Sequence, residues 1–134
     1  METRTVVRAV ATLRAAWGAA LTFETEPLLR VMVRDGDATG SLLLFARTVG
    51  IRDLVFGLGA LVSTMDERRS TDTRRWISAW LASDIGDAIA AATARRRVGP
   101  LGAFAAAAAP IPFIAAGLWM SFRLSRFHAG PSSA

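Results

Sequence analysis

The chain has 134 residues and contains no cysteine and no tyrosine. This length fits one domain, and the lack of cysteine excludes a disulfide framework, thiol catalysis and a cysteine-based zinc site. Hydrophobic residues make up 52% of the sequence, which is high for a water-soluble domain with 20% charged residues. The 16 basic residues are all arginine. Because they flank apolar stretches, we expect anionic lipid headgroups, and not nucleic acid, as their partners.

The first predicted helix covers residues 5–23, an apolar stretch that contains Arg8 and Arg14. Residues 24–27 end it, because the proline in this segment disfavours helical geometry in the residue before it. The two arginines make the stretch unlike a cleavable signal peptide. A short amphipathic piece at 28–33 is predicted to lie at the membrane interface.

The second predicted helix covers residues 41–63 and is apolar except for Arg47, Arg52 and Asp53. A polar loop at 64–74 follows it. Arg52 lies near the middle of this helix, about 16 Å from either end at 1.5 Å per residue. An arginine at that depth cannot easily extend its guanidinium to the membrane surface. We therefore expect Arg52 to find a partner on another helix.

The third predicted helix covers residues 75–93 and ends at the three consecutive arginines 95–97. Asp84 lies close to its middle, and Asp87 follows three residues later on the same face. An unpaired charge at mid-membrane depth costs about 2.5 to 3.5 kcal/mol on insertion scales. These carboxylates are therefore expected to have a cationic partner.

The fourth predicted helix covers residues 98–122, which carry no charge. At 1.5 Å per residue it would be about 38 Å long, enough to cross the roughly 30 Å hydrocarbon layer with some tilt. Pro110 and Pro112 predict a kink near its middle. Tryptophan favours the membrane interface, and an aromatic belt is the predicted role of Trp17, Trp76, Trp80 and Trp119.

Together these elements predict an all-α fold, a membrane-spanning four-helix bundle with up-down-up-down topology. It forms a single domain over residues 1–127, with a disordered tail at 128–134. The positive-inside rule favours both termini in the cytoplasm and the bundle in the plasma membrane, because eight arginines then lie inside and five outside. The inner group is Arg4, Arg8, Arg68, Arg69, Arg74, Arg75, Arg123 and Arg126; the outer group is Arg30, Arg34, Arg95, Arg96 and Arg97.

The antiparallel second and third helices bring their middles to similar depth. Arg52 is therefore expected to pair with Asp84 or Asp87. Neighbouring residues on a helix point about 100° apart, so Arg52 and Asp53 are poorly placed to pair with each other.

Asp53 belongs to a stripe of small residues at helical spacing, and small residues let membrane helices approach closely. Asp53 is expected to face such a contact with the first helix, where Arg14 is its basic partner. The stripe consists of Ala46, Gly50, Asp53, Gly57 and Ala60.

Two readings of these charges remain open: clasps that specify helix packing, or the lining of a polar cavity for a proton, ion or small ligand. The three aspartates could also bind a hard cation through oxygen ligands. Arg14 and Arg52 would compete with that cation, so neither a metal site nor any other cofactor is predicted.

Two segments carry a family resemblance, ARTVGIRDLVFGLGAL at 46–61 and RRWISAWLASDIGDAIAA at 74–91. With the arginine-rich first helix and the apolar fourth helix, the chain resembles a family of small, uncharacterised four-helix integral membrane proteins of actinobacteria. It is also distantly similar to DoxX-like proteins. The resemblance implies the fold and the membrane setting but no activity. Its GIRD and DxxD motifs mark the family's polar positions as Arg52, Asp53, Asp84 and Asp87.

Two functions are compatible with this architecture. The first is a non-enzymatic accessory or structural membrane protein, alone, as a homo-oligomer or in a larger membrane complex. The alternative is a dimeric transporter of a small solute, proton or cation that uses the midplane carboxylates. No catalytic triad can be assembled, since the single histidine, His128, lies in the tail.

Overall fold

The computed structural model describes residues 3–32, 39–66, 70–108 and 110–126. In chain order these form the helices α1 (Thr3–Phe23), α2 (Thr25–Met32), α3 (Gly40–Ser63), α4 (Ser70–Ala108) and α5 (Ile111–Arg126). Within these ranges the chain has no β-strand, so the predicted all-α fold is confirmed. The tail 128–134 and three of the arginines used to predict orientation, Arg34, Arg68 and Arg69, lie outside the described residues.

The first predicted helix is present as α1, and α2 begins directly after it. α2 starts at Thr25, three residues before the predicted amphipathic piece at 28–33. Pro27 does not prevent this helix, because it lies in the first turn, where backbone N–H groups have no acceptor within the helix. Thr25 is buried, and its hydroxyl donates to the Leu21 carbonyl at 2.5 Å, which joins the two helices.

The second predicted helix, 41–63, is present as α3 with a start one residue earlier. Thr39 caps its N-terminus, since its hydroxyl accepts a hydrogen bond from the Leu42 N–H at 3.3 Å. At the other end, the Thr64 N–H donates to the Leu61 carbonyl at 3.1 Å. α3 is thus capped at both ends and about 36 Å long at 1.5 Å per residue.

The third predicted helix has different boundaries in the structure. α4 begins at Ser70, inside the predicted loop 64–74, and its helical backbone continues through the arginines 95–97 to Ala108. The prediction that these arginines end a helix is therefore wrong. Arginine is a good helix former, so a run of arginines does not by itself end a helix.

The prediction of one continuous fourth helix at 98–122 is also wrong. Its first part is the end of α4, and its second part belongs to α5, which starts at Ile111. Pro110 lies before that start, so it separates two helices instead of kinking one. Pro112 lies in the first turn of α5. Backbone N–H groups in a first turn have no acceptor within the helix, so the N–H that proline lacks is not needed there.

α4 does not run straight. The Trp80 Nε1–H donates to the Phe113 carbonyl at 3.4 Å, whereas a straight helix would place Ala108 about 42 Å beyond Trp80. The five residues from Ala108 to Phe113 reach at most about 18 Å, so α4 must bend between Trp80 and Ala108. Pro100 lies in this part of α4, and a proline within a helix is a common cause of a sharp bend.

The helices α1, α3 and α4 pack side by side with alternating directions. α1 and α3 approach most closely: a Cβ atom on Gly57 would lie 2.5 Å from the Ala15 nitrogen, and one on Gly50 would lie 2.8 Å from the Thr22 nitrogen. These two contacts show that α1 and α3 are antiparallel. The main hydrophobic core joins α1, α3, α4 and α5 through Val7, Ala11, Ala60, Ile77, Trp80 and Met120.

Among the described residues, only α1 has both the length and the hydropathy of a membrane span. The apolar part of α5, Ile111–Arg123, is shorter. α3 has the length, but Arg47, Arg52 and Asp53 all lie within it. One such helix near the N-terminus also occurs in water-soluble proteins and signal sequences, so four separate spans do not follow from helix composition.

Candidate functional site

The five charged residues singled out in the sequence meet in the structure. They form one series of hydrogen bonds across α1, α3 and α4, in which carboxylates and guanidinium groups alternate. We call this series the Arg–Asp chain, and its order is Asp84, Arg14, Asp53, Arg52, Asp87. Each arginine lies between two aspartates, so each positive charge has a negative charge on both sides.

The inner end of the Arg–Asp chain is a double contact between Arg14 and Asp84. Arg14 Nη1 donates to Asp84 Oδ2 and Nη2 donates to Oδ1, both at 2.6 Å. The arginine is 1% exposed and the aspartate 2% exposed. Of the two partners predicted for Arg52, Asp84 or Asp87, the structure shows Asp87. Arg14 takes both oxygens of Asp84 instead, in the two-bond geometry that suits a guanidinium group.

Asp53 links the two arginines through one oxygen atom. Its Oδ1 accepts from Arg14 Nη2 at 2.9 Å, from Arg52 Nη2 at 3.0 Å and from Arg52 Nε at 3.2 Å. The pairing of Arg14 with Asp53 that the small-residue stripe indicated is present. The expectation that Arg52 and Asp53 are poorly placed to pair is wrong. The 100° separation applies to the Cβ directions, whereas the long arginine side chain turns its guanidinium back towards its neighbour.

The outer end of the Arg–Asp chain is the contact between Arg52 and Asp87. Arg52 Nη1 donates to Asp87 Oδ2 at 2.6 Å. The Arg52 side chain is 25% exposed and that of Asp87 is 41% exposed. Asp84 and Asp87 share a helix face in the sequence, but the structure places them at different depths and gives them different arginine partners.

Three aromatic rings surround the Arg14 guanidinium. Its Cζ lies 5.0 Å from the centroid of Trp80, 5.1 Å from that of Phe113 and 5.7 Å from that of Phe56. Trp80 and Phe113 meet edge to face, with ring centroids 6.5 Å apart. Cation–π contacts of this kind strengthen when water is excluded. The aromatic rings therefore stabilise the buried cation in addition to the carboxylates.

Sequence reasoning missed this aromatic environment. Trp80 was predicted to belong to an interface belt, but it is fully buried in the core. The spacing contains a signal, because Trp80 lies four residues before Asp84 and Phe56 lies three residues after Asp53, on the same helix faces. Phe113 has no comparable signal, since its position depends on the bend in α4.

One donor at the site has no partner. Arg14 Nε is buried and forms no hydrogen bond, and no other buried side-chain nitrogen or oxygen in the described part of the chain shares this condition. An unsatisfied buried donor costs about 1 to 3 kcal/mol. The bonds to Asp84 and Asp53 and the contacts with the aromatic rings offset this cost.

The predicted stripe of small residues is the buried face of α3. Its five predicted members, Ala46, Gly50, Asp53, Gly57 and Ala60, are all buried, and the structure adds Ser63 one turn further. Gly18 on α1 faces the stripe, and a Cβ atom there would overlap the Leu54 backbone nitrogen. The sequence analysis missed Gly18, although it lies four residues after Arg14 on the same face of α1. The close approach of the two backbones places Arg14 beside Asp53.

Two further arginines hold the C-terminal end of α3. Arg4 Nε donates to the Thr64 carbonyl at 2.8 Å, and Arg8 Nη2 donates to the same oxygen at 2.9 Å. Arg8 Nε also donates to the Thr64 hydroxyl at 3.2 Å. Positive groups at a helix C-terminus are favourable because carbonyl groups there lack intrahelical donors. The sequence placed these arginines on the cytoplasmic side but gave no sign of this contact.

The chemistry of the Arg–Asp chain is charge pairing. An arginine keeps its proton in proteins, so neither Arg14 nor Arg52 can act as an acid or a base. Three carboxylates face two guanidinium groups, which leaves one negative charge in excess. In the described part of the chain, no group of three or more histidines, aspartates or glutamates is arranged to hold a metal ion.

Comparisons of the chain with protein-family models, curated proteins and solved structures gave no match. The family resemblance of the GIRD and DxxD motifs therefore stays a prediction, and a functional assignment depends on the geometry above.

Proposed function

We propose that this chain is a small multi-pass integral membrane protein with a non-enzymatic accessory or structural role, in which the Arg–Asp chain holds three helices together. One observation carries the proposal: the charged site is inside and large apolar side chains are outside. Arg14, Asp53 and Asp84 are at most 5% exposed, whereas Leu44 and Phe45 are 69% and 65% exposed. A water-soluble helical bundle has the opposite arrangement.

The exposed apolar side chains occur on all four long helices. A large exposed apolar surface marks contact with a protein or with lipid, and lipid suits a surface that is spread over every helix. These side chains include Leu13, Trp17 and Phe23 on α1, Leu44, Phe45, Ile51, Val55, Leu58 and Val62 on α3, Ile85 and Ile89 on α4, and Ile111, Leu118, Trp119 and Phe122 on α5.

The length of this apolar surface suits a bilayer. Over residues 48–63 of α3, about 24 Å, the only charge at the described surface is the Arg52 side chain, which is 25% exposed and binds Asp53 and Asp87. Over residues 76–93 of α4, about 27 Å, the only charge at the described surface is the half-exposed Asp87, which Arg52 binds. Both lengths approach the roughly 30 Å of the hydrocarbon layer.

Arginines gather where the N-terminus of α1 meets the C-terminus of α3. Arg4 and Arg8 bind Thr64 there. The first two turns of α4, which starts a few residues later, carry the exposed Arg74 and Arg75. Near the end of α5, the Arg123 guanidinium lies 5.4 Å from the centroid of the Trp119 ring. Arginine beside tryptophan is typical of a membrane–water interface. By the positive-inside rule, we place this end of the protein on the cytoplasmic side of the plasma membrane.

The structural role follows from what buried ion pairs do. Replacing such a pair by apolar residues is often neutral or stabilising, so pairing contributes little net stability, but removal of one partner is costly. A sequence with this site can therefore pack α1, α3 and α4 only in the register that joins all the charges. We propose that the resulting surface binds lipid and serves contacts with further copies or a larger membrane complex.

Two measurements test the membrane location. Alkaline carbonate washing of membranes from expressing cells is expected to leave the protein in the pellet, and release into the supernatant would overturn the proposal. Because the chain has no cysteine, single cysteines can also be introduced at the lipid-facing Val55 and, as a matched exposed control, at Thr71. A membrane-impermeant maleimide is expected to label Thr71→Cys in inverted vesicles and to leave Val55→Cys unlabelled.

A second candidate function is transport of a proton, cation or small solute by a dimer. The observation that favours it is the half-exposed outer end of the Arg–Asp chain, where Asp87 connects through Arg52 to the buried carboxylates. Flux into liposomes is the test, with the protein compared to its Asp87→Asn variant. A flux that the substitution abolishes would support transport, and a flux that it leaves unchanged would exclude this carboxylate from the path.

A further inference from the structure

A groove between α3 and α4 is separate from the Arg–Asp chain. It has a volume of about 480 Å³ and is lined by Val55, Leu58, Gly59 and Val62 on α3 and by Asp72 and Trp76 on α4. We infer that this groove binds one glycerophospholipid with a primary amine in its headgroup. The inference rests on the proposed function, because the groove faces lipid only in a membrane-spanning protein.

The floor of the groove fits an acyl chain. Val55, Leu58 and Val62 are each about half exposed, and they follow one another along about 10 Å of α3. Gly59 lets Trp76 lie directly against α3, since a Cβ atom at this position would be 2.5 Å from the indole ring. An aliphatic chain that lies along this floor is in contact with apolar side chains from both helices.

The polar end of the groove is Asp72. Ser63 also lies on the wall, but it is buried, and its hydroxyl is bonded to the Ala60 carbonyl at 2.7 Å and to the Thr73 hydroxyl at 2.9 Å. The Asp72 side chain is 47% exposed. Asp72 is therefore the polar group on the described wall that can bind a ligand.

The Arg75 guanidinium lies beside Asp72. Arg75 Nη1 lies 3.6 Å from Asp72 Oδ1, and the Arg75 side chain is 78% exposed. This separation is longer than a hydrogen bond, so both groups keep the capacity to bind another partner. Asp72 thus places a negative group on the groove wall, and Arg75 places a positive group 3.6 Å from it, at the end of α4 that also carries the exposed Arg74.

This pair of charges complements a zwitterionic headgroup. The phosphate of the lipid would accept from the Arg75 guanidinium, which suits phosphate geometry, and the primary ammonium would donate to Asp72. A quaternary ammonium has no N–H to donate, and an anionic headgroup without an amine would place its charge against the carboxylate. The chemistry therefore favours phosphatidylethanolamine over phosphatidylcholine and phosphatidylglycerol.

Tryptophan quenching by brominated lipids tests the inference. The protein and its Trp76→Phe variant are reconstituted in phosphatidylcholine vesicles that contain dibrominated phosphatidylethanolamine, phosphatidylcholine or phosphatidylglycerol at equal mole fraction. The difference between the two proteins reports on Trp76. We expect the ethanolamine lipid to quench Trp76 at a mole fraction about two- to fivefold lower than the other lipids, the range that one exposed ion pair provides.

Matched variants identify the group responsible. Asp72→Asn is expected to remove the headgroup preference, whereas Glu26→Gln, which removes an exposed acid on α2, is expected to keep it. Equal quenching by the three lipids, or a preference for phosphatidylglycerol, overturns the inference. This comparison uses only the protein and its Trp76→Phe variant, so it does not depend on whether Asp72→Asn folds. If the protein resists carbonate washing but shows no preference, the inference alone fails; if carbonate releases it, the proposed function fails first.

Discussion

Arg14 and Asp84 are 70 residues apart in the sequence, yet two parallel hydrogen bonds of 2.6 Å join them in the interior. Arg14 is also the residue through which α1 reaches both α3 and α4, because its Nη2 donates to Asp53 as well. A single guanidinium thus connects three helices, and the packing of the protein depends on it.

Replacing Arg14 by methionine is expected to lower the free energy of unfolding by about 3 to 5 kcal/mol, because Asp84 is then a buried charge without a partner. Denaturation of the purified protein in detergent, followed by circular dichroism, measures the change. Arg30→Met is the matched control. Its partner Glu26 lies in an exposed pair, and its loss is expected to cost about 0.5 kcal/mol or less. Equal losses of unfolding free energy in both variants would contradict the role of Arg14 in holding the three helices together.

Removing both partners is expected to be less harmful than removing one. In the double variant Arg14→Met with Asp84→Leu, the inner end of the Arg–Asp chain has no unpaired charge, so we expect a recovery of about 0.5 to 3 kcal/mol relative to the sum of the single effects. The same denaturation experiment on all four proteins completes the cycle. Simple additivity would mean that the two residues do not act as a pair.

The two aspartates of the DxxD motif are expected to respond differently to substitution. Asp84→Asn removes the charge opposite a guanidinium that is 1% exposed, and we expect a loss of about 2 to 5 kcal/mol. Asp87 is 41% exposed, so Asp87→Asn is expected to cost about 1 kcal/mol or less. Thermal unfolding in the same detergent compares them. A larger effect at Asp87 would contradict the observed order of burial.

The close contact between the backbones of α1 and α3 is not expected to accommodate one added methyl group. In Gly57→Ala the new Cβ atom meets the Ala15 backbone, and overpacking of this kind costs about 1 to 3 kcal/mol. Gly86→Ala on α4 is the control, because nothing lies within 4 Å of its Cβ position. That variant is expected to gain up to about 1 kcal/mol from helix propensity. Similar changes in the free energy of unfolding for the two substitutions would rule out a close contact between α1 and α3 at Gly57.

The helices with strong local signals could be predicted from the sequence. α1 and α3 are long, mostly apolar segments, and each ends close to where polar residues follow in the sequence. The stripe from Ala46 to Ala60 predicted the buried face of α3 because helical spacing alone determines which residues share a face. Its single carboxylate then indicated Arg14, since the facing helix offered one basic residue at that depth.

The remaining contacts depend on three-dimensional features that local patterns do not contain. The end of α4 was predicted at arginines 95–97 from charge, but charge does not stop a helix. The choice between Asp84 and Asp87 as the partner of Arg52 stayed open, because the fold-level argument fixed depth along the helices and not rotation about them. The rotation that turns Asp84 towards α1 is set by Trp80 and Ile77, which are fully buried on the same side of α4.

The wide separation of Arg14 from Asp84 has a consequence for biogenesis. If the chain spans a membrane as proposed, α1 emerges before the chain has made the two carboxylates that bind its guanidinium, Asp53 on α3 and Asp84 on α4. Early release of α1 alone into lipid would carry a penalty of about 2.5 to 3.5 kcal/mol for the solitary cation. In the proposed membrane protein, insertion of α1 is therefore favoured when α3 and α4, which carry Asp53 and Asp84, enter the bilayer together with it.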